Sequence, residues 1–105
     1  MPDFVRVLEA SQMTAGQIRC VEVQGCRVAL IRLGDEFHAL DDACPHRGGP
    51  LSHGTLEGDV LHCPLHGWGF DARTGACDMV PTRPATAYRA RVVDGHVEVS
   101  IKHDA

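Results

Sequence analysis

The sequence predicts an all-β fold, an antiparallel sandwich or barrel around one core. Short runs rich in Val, Ile and Leu are interrupted about every eight to twelve residues by turns that contain glycine. No segment shows the period of about 3.6 residues that is typical of an amphipathic helix. With 105 residues, of which 44% are hydrophobic, the chain has the length and composition of one globular domain.

Two strands are predicted in the first half of the chain on either side of a hairpin. The first covers Phe4 to Ala10 and is followed by a break at Thr14-Ala15-Gly16. The other covers Glu36 to Asp41, directly after a turn at Gly34-Asp35. Phe37 is its expected apolar anchor.

A hairpin is predicted between these two strands, with a two-residue turn at Gln24-Gly25. This register places Glu22 opposite Arg27 as an attractive cross-strand charge pair. It also makes Cys26 a core residue and places Cys20 on the other face of the hairpin. The two thiols are therefore not expected to form a disulfide.

The last hairpin has the clearest pattern, because Asp94-Gly95 tolerates the positive φ angles of a type I′ turn. Alternation along both strands separates an apolar face from a polar face. The apolar face is predicted to contain Tyr88, Ala90, Val92, Val97, Val99 and Ile101, and the polar face Arg89, Arg91, Glu98 and Ser100.

The middle of the chain, from Cys44 to Pro84, is rich in Gly, Pro, Cys and His and has only short strand candidates such as Val60 to His62. Long irregular segments in compact domains are usually functional. Two similar motifs lie in this segment, Cys44-Pro45-His46 and Cys63-Pro64-Leu65-His66. Each presents one thiol and one imidazole, so two loops are expected to face each other across a metal centre.

Two kinds of metal centre use two cysteines and two histidines. A structural zinc ion is one, but zinc modules usually group their cysteines in one loop and their histidines in another. A 2Fe-2S cluster is the other, and it explains why each loop carries one ligand of each kind, since one iron takes the thiolates and the other the imidazoles. The spacing favours the cluster.

The motifs resemble those of the Rieske family. The resemblance is strongest in Cys-Pro-His-Arg-Gly-Gly-Pro-Leu-Ser at 44–52, Cys-Pro-Leu-His-Gly-Trp-Gly-Phe-Asp at 63–71 and Arg-Thr-Gly at 73–75, and it spans essentially the whole chain. It implies a Rieske-type antiparallel β sandwich over 1–105, with a small cluster-binding subdomain at about 43–84. A proline-containing loop at 81–84 occupies the place of the loop that covers the cluster in this family.

The resemblance also implies one 2Fe-2S cluster, with Cys44 and Cys63 as ligands of one iron and His46 and His66 as ligands of the other. The remaining histidines and cysteines are expected to be structural or surface residues. These are His38, His53, His62, His96, His103, Cys20, Cys26 and Cys77. Tuning of the cluster or contact with a partner is the alternative for His53 and His62, which lie near the motifs.

Neutral imidazole ligands raise the reduction potential of such a cluster, to a range of about -150 to +300 mV in Rieske centres. High-potential members of the family carry an additional cysteine in each loop, where this chain has Gly49 and Leu65. Trp68 and Phe70 replace the Ser and Tyr hydroxyls of those members. We therefore expect a potential at the low end of the range.

The net charge of -4 and pI near 5.9 argue against nucleic acid as a partner. No segment has the length of a membrane span or the order of a signal peptide, so a soluble cytoplasmic protein is expected. A cluster with four protein ligands leaves no site for a substrate, which indicates an electron-transfer component rather than a catalytic subunit.

The resemblance implies a ferredoxin that passes single electrons from a flavin-dependent NAD(P)H reductase to a terminal oxygenase. One alternative is the small subunit of an NADH-dependent nitrite reductase, which would bind a large subunit. An alternative of another class is a zinc-stabilised binding module without redox function.

Overall fold

The computed structural model describes residues 4–45, 48–65, 67–80, 82 and 84–101. This part of the chain contains β-strands and two short 3-10 helices, Ala10–Gln12 and Leu51–His53, and no helix in it is long and apolar enough to cross a membrane. The strands are β1 (Val5–Glu9), β2 (Ile18–Val23), β3 (Cys26–Leu33), β4 (Glu36–Asp41), β5 (Thr55–Glu57), β6 (Val60–His62), β7 (Gly69–Asp71), β8 (Ala87–Val93) and β9 (His96–Ser100).

The strands form two antiparallel sheets, which confirms the predicted all-β class. The larger sheet has six strands in the order β1-β9-β8-β4-β3-β2, and the smaller has three in the order β5-β6-β7. The smaller sheet lies entirely within the segment predicted to bind a cluster. A separate cluster-binding subdomain at about 43–84 stays a prediction.

Strands β3 and β4 separate two hydrophobic cores, because successive side chains of a strand point to opposite faces. One core contains Val28, Leu30 and Ala39 together with residues of β9. The other contains Ala29, Ile31 and Leu40, together with residues of the small sheet and of the loops around it. The second core is the one that positions the site.

The first hairpin has the predicted register, with Glu22 opposite Arg27 and Val23 opposite Cys26. The charge of Glu22 contributes to a raised pKa of Arg27, as the attractive cross-strand pair predicts. Arg27 also makes an ion pair with the buried carboxylate of Asp42, with Nε and Oδ2 3.7 Å apart. One expectation about the side chains of this hairpin is wrong. Cys26 is only partly buried, because it directly follows the turn and lines an open pocket of about 430 Å³.

The last hairpin also has the predicted register and positive φ angles of 52° and 77° at Asp94 and Gly95. The residues pair across the hairpin on the predicted faces, but burial does not follow these faces at every position. Val92 is 46% exposed, because it lies close to the tip of the hairpin, while Glu98 and Ser100 are buried. Glu98 is covered by the side chains of two arginines with which it forms ion pairs, Arg6 and Arg91.

Strand β8 is joined to β4 by a partly buried side-chain contact as well as by backbone pairing. The Tyr88 hydroxyl donates to Asp41 Oδ2 over 3.1 Å, and Asp41 Oδ1 accepts from the Ala43 N-H over 2.9 Å. Burial of the phenol raises the pKa of Tyr88 to about 12, and the Asp41 carboxylate contributes to this increase. The contact ties the end of β4 to the loop that contains Cys44.

The raised pKa of Tyr88 predicts a loss of stability at high pH. Because the folded state holds the phenolic proton more tightly, stability is complete below pH 10 and falls as pH rises toward about 12. Tyr88 is the one tyrosine of the sequence, so tyrosinate absorbance reports its ionisation directly. We expect a titration midpoint near 12 in folded protein and near 10 in urea.

Asp41→Asn is the control for the cause of this shift. It should lower the titration midpoint of folded protein only in part, because burial is the larger cause. Equal midpoints in the folded and the urea-unfolded protein would contradict the assignment.

Candidate metal centre

The first cysteine loop follows β4 and is closed by its own backbone. Ala43 and Pro50 form an isolated antiparallel bridge at its base. Within it, Cys44 donates to the Gly49 carbonyl over 2.8 Å and accepts from the Gly48 N-H over 2.7 Å. Gly48 has a φ of 73°, which glycine adopts without the strain of a Cβ.

The second cysteine loop follows β6 and repeats this geometry. His62 pairs with Gly69 at its base. Cys63 donates to the Trp68 carbonyl over 2.8 Å and accepts from the Gly67 N-H over 3.0 Å, and Gly67 has a φ of 75°. The two loops are therefore matched in their backbone hydrogen bonds as well as in their sequence.

The two cysteines lie in the same core and are buried, with Cys44 2% and Cys63 3% exposed. No disulfide involves any of the five cysteines, all of which lie in the described part of the chain. Two buried thiols in facing loops have the donor chemistry that a metal centre needs.

The loops approach each other closely at Gly49. A Cβ built on this residue would lie 3.4 Å from Cys63 Sγ and 2.7 Å from Leu65 Cδ1. The two loops can approach this closely because residue 49 has no side chain. Positions 49 and 65, where high-potential Rieske proteins carry cysteines, face each other here as glycine and leucine.

The two predicted histidine ligands, His46 and His66, lie outside the described residues. Among the residues that are described, no group of three or more His, Cys, Asp or Glu could hold a metal ion. The structure therefore brings Cys44 and Cys63 together in one core, and the complete set of four ligands stays a prediction. A 2Fe-2S cluster fits the pair of buried, unbridged thiols that the two matched loops present.

The predicted covering loop at 81–84 is described only at Thr82 and Pro84. The chain on either side of it is attached to the small sheet. The backbone of Cys77 forms an isolated antiparallel β-bridge with Phe70 in β7. The Ala85 N-H donates to the Gly75 carbonyl over 2.8 Å. Cys77 is buried in the same core as the two loop cysteines, and its sulfur lies 3.4 Å from the Val80 nitrogen, so its surroundings agree with the predicted structural role.

Asp42 attaches the first cysteine loop to the large sheet. Its side chain is buried, and its carboxylate accepts from the Ser52 N-H over 2.7 Å. Its carbonyl accepts from the Leu51 N-H over the same distance. Sequence reasoning missed this residue, since an aspartate after a strand is usually exposed; its position two residues before Cys44 was the available signal.

Arg73 connects the small sheet to the large one at the surface. Its guanidinium contacts Glu36 at the start of β4 over 3.3 Å and Asp59 in the β5–β6 turn over 2.6 Å. The pKa of Glu36 is lowered, first by a hydrogen bond from His38 and then by the charge of Arg73. Exposed ion pairs contribute little singly, but this one joins segments that are distant in sequence.

The chain is similar to known proteins over most of its length. Residues 3–97 match the family model of the Rieske [2Fe-2S] domain. The chain is 40% identical over 99 residues to ferredoxin CarAc of Metapseudomonas resinovorans, and the match covers 92% of each chain.

Two solved structures are similar over nearly their whole length. The ferredoxin in the complex of reduced oxygenase and oxidized ferredoxin of carbazole 1,9a-dioxygenase aligns with a TM-score of 0.89 and 38% identity, covering 97% of this chain and 96% of that one. A Mycobacterium tuberculosis chain assigned by name as an NADH-dependent nitrite reductase small subunit aligns with a TM-score of 0.91, covering 99% of both chains. At 24% identity, the second likeness concerns the fold alone.

The contact between the loops predicts a specific pair of substitutions. Gly49→Ala should destabilise the protein by about 1 kcal/mol, because the new methyl group displaces Leu65. Leu65 is 51% exposed, so Leu65→Ala alone should have little effect, and in the double variant it should restore most of the loss. Urea unfolding of all four proteins measures the coupling; strictly additive effects would contradict the proposed contact.

Proposed function

Because the chain belongs to the Rieske [2Fe-2S] domain family, we propose that it is a ferredoxin, which carries single electrons from a flavin-dependent NAD(P)H reductase to a terminal oxygenase. The observation that supports this most directly is the match to a ferredoxin over 92% of both chains. The ferredoxin of carbazole 1,9a-dioxygenase, which is similar over 97% of this chain, has been captured together with its oxygenase.

We propose Cys44 and Cys63 as the ligands of one iron and His46 and His66 as the ligands of the other. The cluster supplies one-electron redox chemistry, and the chain supplies its surroundings. The two cysteines are buried in matched loops, and their thiols are not used in disulfides. The family match favours this cluster over a structural zinc ion.

Apolar side chains exclude water from the protein side of the proposed centre. Leu51, Leu61 and Phe70 are completely buried in the core that contains both cysteines, and Trp68 packs against it. The hydrophobic shell around a metal site limits solvent access and influences its potential. Phe70 also has no hydroxyl to donate toward a cluster, which supports a potential at the low end of the Rieske range.

The role in electron transfer does not require a substrate site on this chain. With four protein ligands on the cluster, the reaction takes place on the partner proteins. Three cysteines outside the proposed ligand set, Cys20, Cys26 and Cys77, have free thiols. Thiols stay reduced in the cytoplasm, which supports this location. The nitrite reductase alternative rests on a likeness in fold, so the ferredoxin is the function that we propose.

The ligand assignment predicts different results for two cysteines. Cys44→Ser should abolish the visible chromophore of the purified protein and lower its iron content to near zero. Cys20→Ser is the matched control, since Cys20 lies partly buried on β2, and should leave both unchanged. His66→Ala should behave like Cys44→Ser; retention of a normal chromophore in either ligand variant would contradict the assignment.

The proposed function predicts an electron relay that can be rebuilt from purified parts. Iron and sulfide analysis should give two of each per chain, with an EPR signal after reduction by dithionite. A flavoprotein reductase and NADH should then reduce the protein, which in turn should support turnover by a Rieske oxygenase.

Three results would contradict this function. One is zinc without sulfide in the purified protein, and another is a midpoint potential above about +150 mV, far from the low end of the Rieske range. The third is a stable complex with a sirohaem-containing large subunit, which would support the nitrite reductase alternative instead.

A further inference from the structure

A histidine side chain supports the second cysteine loop from the strand that precedes it. His62 is the last residue of β6, directly before Cys63, and its side chain is 26% exposed. Its Nδ1 lies 3.1 Å from the Gly67 carbonyl oxygen, and its Nε2 lies 3.2 Å from Glu57 Oε1 on β5. Because a carbonyl oxygen can only accept, Nδ1 carries the proton in the contact with Gly67.

This contact is where the two matched loops differ. Each loop begins at an antiparallel pair, Ala43 with Pro50 and His62 with Gly69, and each is closed by two backbone hydrogen bonds. The residue before Cys44 is Ala43, whose methyl group cannot donate. The second loop therefore has a side-chain hydrogen bond that the first cannot form at the equivalent position.

The carbonyl that accepts from His62 belongs to a glycine, the residue type with the fewest restrictions on its backbone dihedral angles. Gly67 has a φ of 75° and, without a Cβ, has the largest freedom of backbone rotation in the loop. A fixed Gly67 carbonyl also fixes the N-H of Trp68, which points the opposite way in a trans peptide. One hydrogen bond thus restricts two consecutive residues of the loop.

We propose that His62 is a positioning residue of the metal centre. Its Nδ1-H holds the carbonyl of Gly67, the residue that directly follows the proposed ligand His66. The inference rests on the proposed function, since it needs a cluster bound between the two loops. His62 does not itself bind the cluster, and its effect passes through the backbone of the second loop.

His38 provides a matched control. It lies on β4, its side chain is 23% exposed, and its Nε2 lies 2.9 Å from Glu36 Oε1. It therefore forms the same kind of His–Glu pair as His62, but in the large sheet. Substitution of His38 removes such a pair without removing the hydrogen bond to Gly67.

Two conservative variants separate the two contacts of His62. The side-chain nitrogen of Asn lies close to where Nδ1 lies in His, so His62→Asn keeps a donor for the Gly67 carbonyl. The longer side chain of Gln places its amide near the position of Nε2, so His62→Gln keeps only a contact with Glu57.

The experiment compares wild-type holoprotein with His62→Ala, His62→Asn, His62→Gln and His38→Ala. The measurements are the rate of iron release to a chelator, the EPR g values of the reduced protein and the midpoint potential. We expect His62→Ala and His62→Gln to release iron about 10-fold faster, as is typical when a residue that supports a metal ligand is lost. Their EPR g values should also shift, whereas His62→Asn and His38→Ala should remain close to wild type.

The design distinguishes failure of the inference from failure of the proposed function. Wild-type protein that contains no iron–sulfur cluster would overturn both. A cluster that is equally stable and has the same EPR signal in wild type and His62→Ala would overturn the role of His62 alone. Recovery by His62→Gln but not by His62→Asn would overturn it too, and this comparison decides the matter if His62→Ala fails to fold.

Discussion

The structure depends on the closure of two short loops by their own backbones. In each loop the cysteine donates to a carbonyl five residues ahead and accepts from an N-H four residues ahead, at a glycine with positive φ. These backbone hydrogen bonds close both loops, and the side chains of Asp42 and His62 add one hydrogen bond each at their ends. A metal centre shared between two loops needs such rigidity, because its geometry tolerates little displacement of the ligands.

The large sheet packs against these loops through a shared hydrophobic core. One face of strands β3 and β4 packs in the first core and the opposite face packs in the second. The face with Ala29, Ile31 and Leu40 lies in the same core as Cys44 and Cys63. Asp42 ties the first loop to β4, and Arg73 connects the small sheet to the same strand. The two loops are thus attached to one rigid element by independent contacts.

The position of the loops also explains the electronic properties proposed for the centre. Buried apolar side chains exclude water on the protein side, while Leu65, at the tip of the second loop, is half exposed. A docked partner would therefore approach the loops from the side opposite the core. The loops approach each other closely at Gly49 and Leu65, and neither residue has a thiol with which to form a disulfide.

The sequence by itself determined the local features of this protein. The turns at Gln24-Gly25 and Asp94-Gly95 set the registers of two hairpins, because turn chemistry and the two-residue period of a strand depend on neighbouring residues. The paired Cys and His motifs likewise identified the family and both buried cysteines.

Only the tertiary structure decided which side chains are covered and which partners they meet. The exposure of Cys26 and Val92, the burial of Asp42 and the contact of His62 with Gly67 were not predicted. The burial of Asp42 depends on segments that are distant in sequence, and the contact of His62 depends on the path of an irregular loop. Cys26 and Val92 lie beside hairpin turns, where the alternation of a strand continues although the core does not. The strand pattern specifies which residues share a face, but the packing of other segments against that face decides which of them are buried.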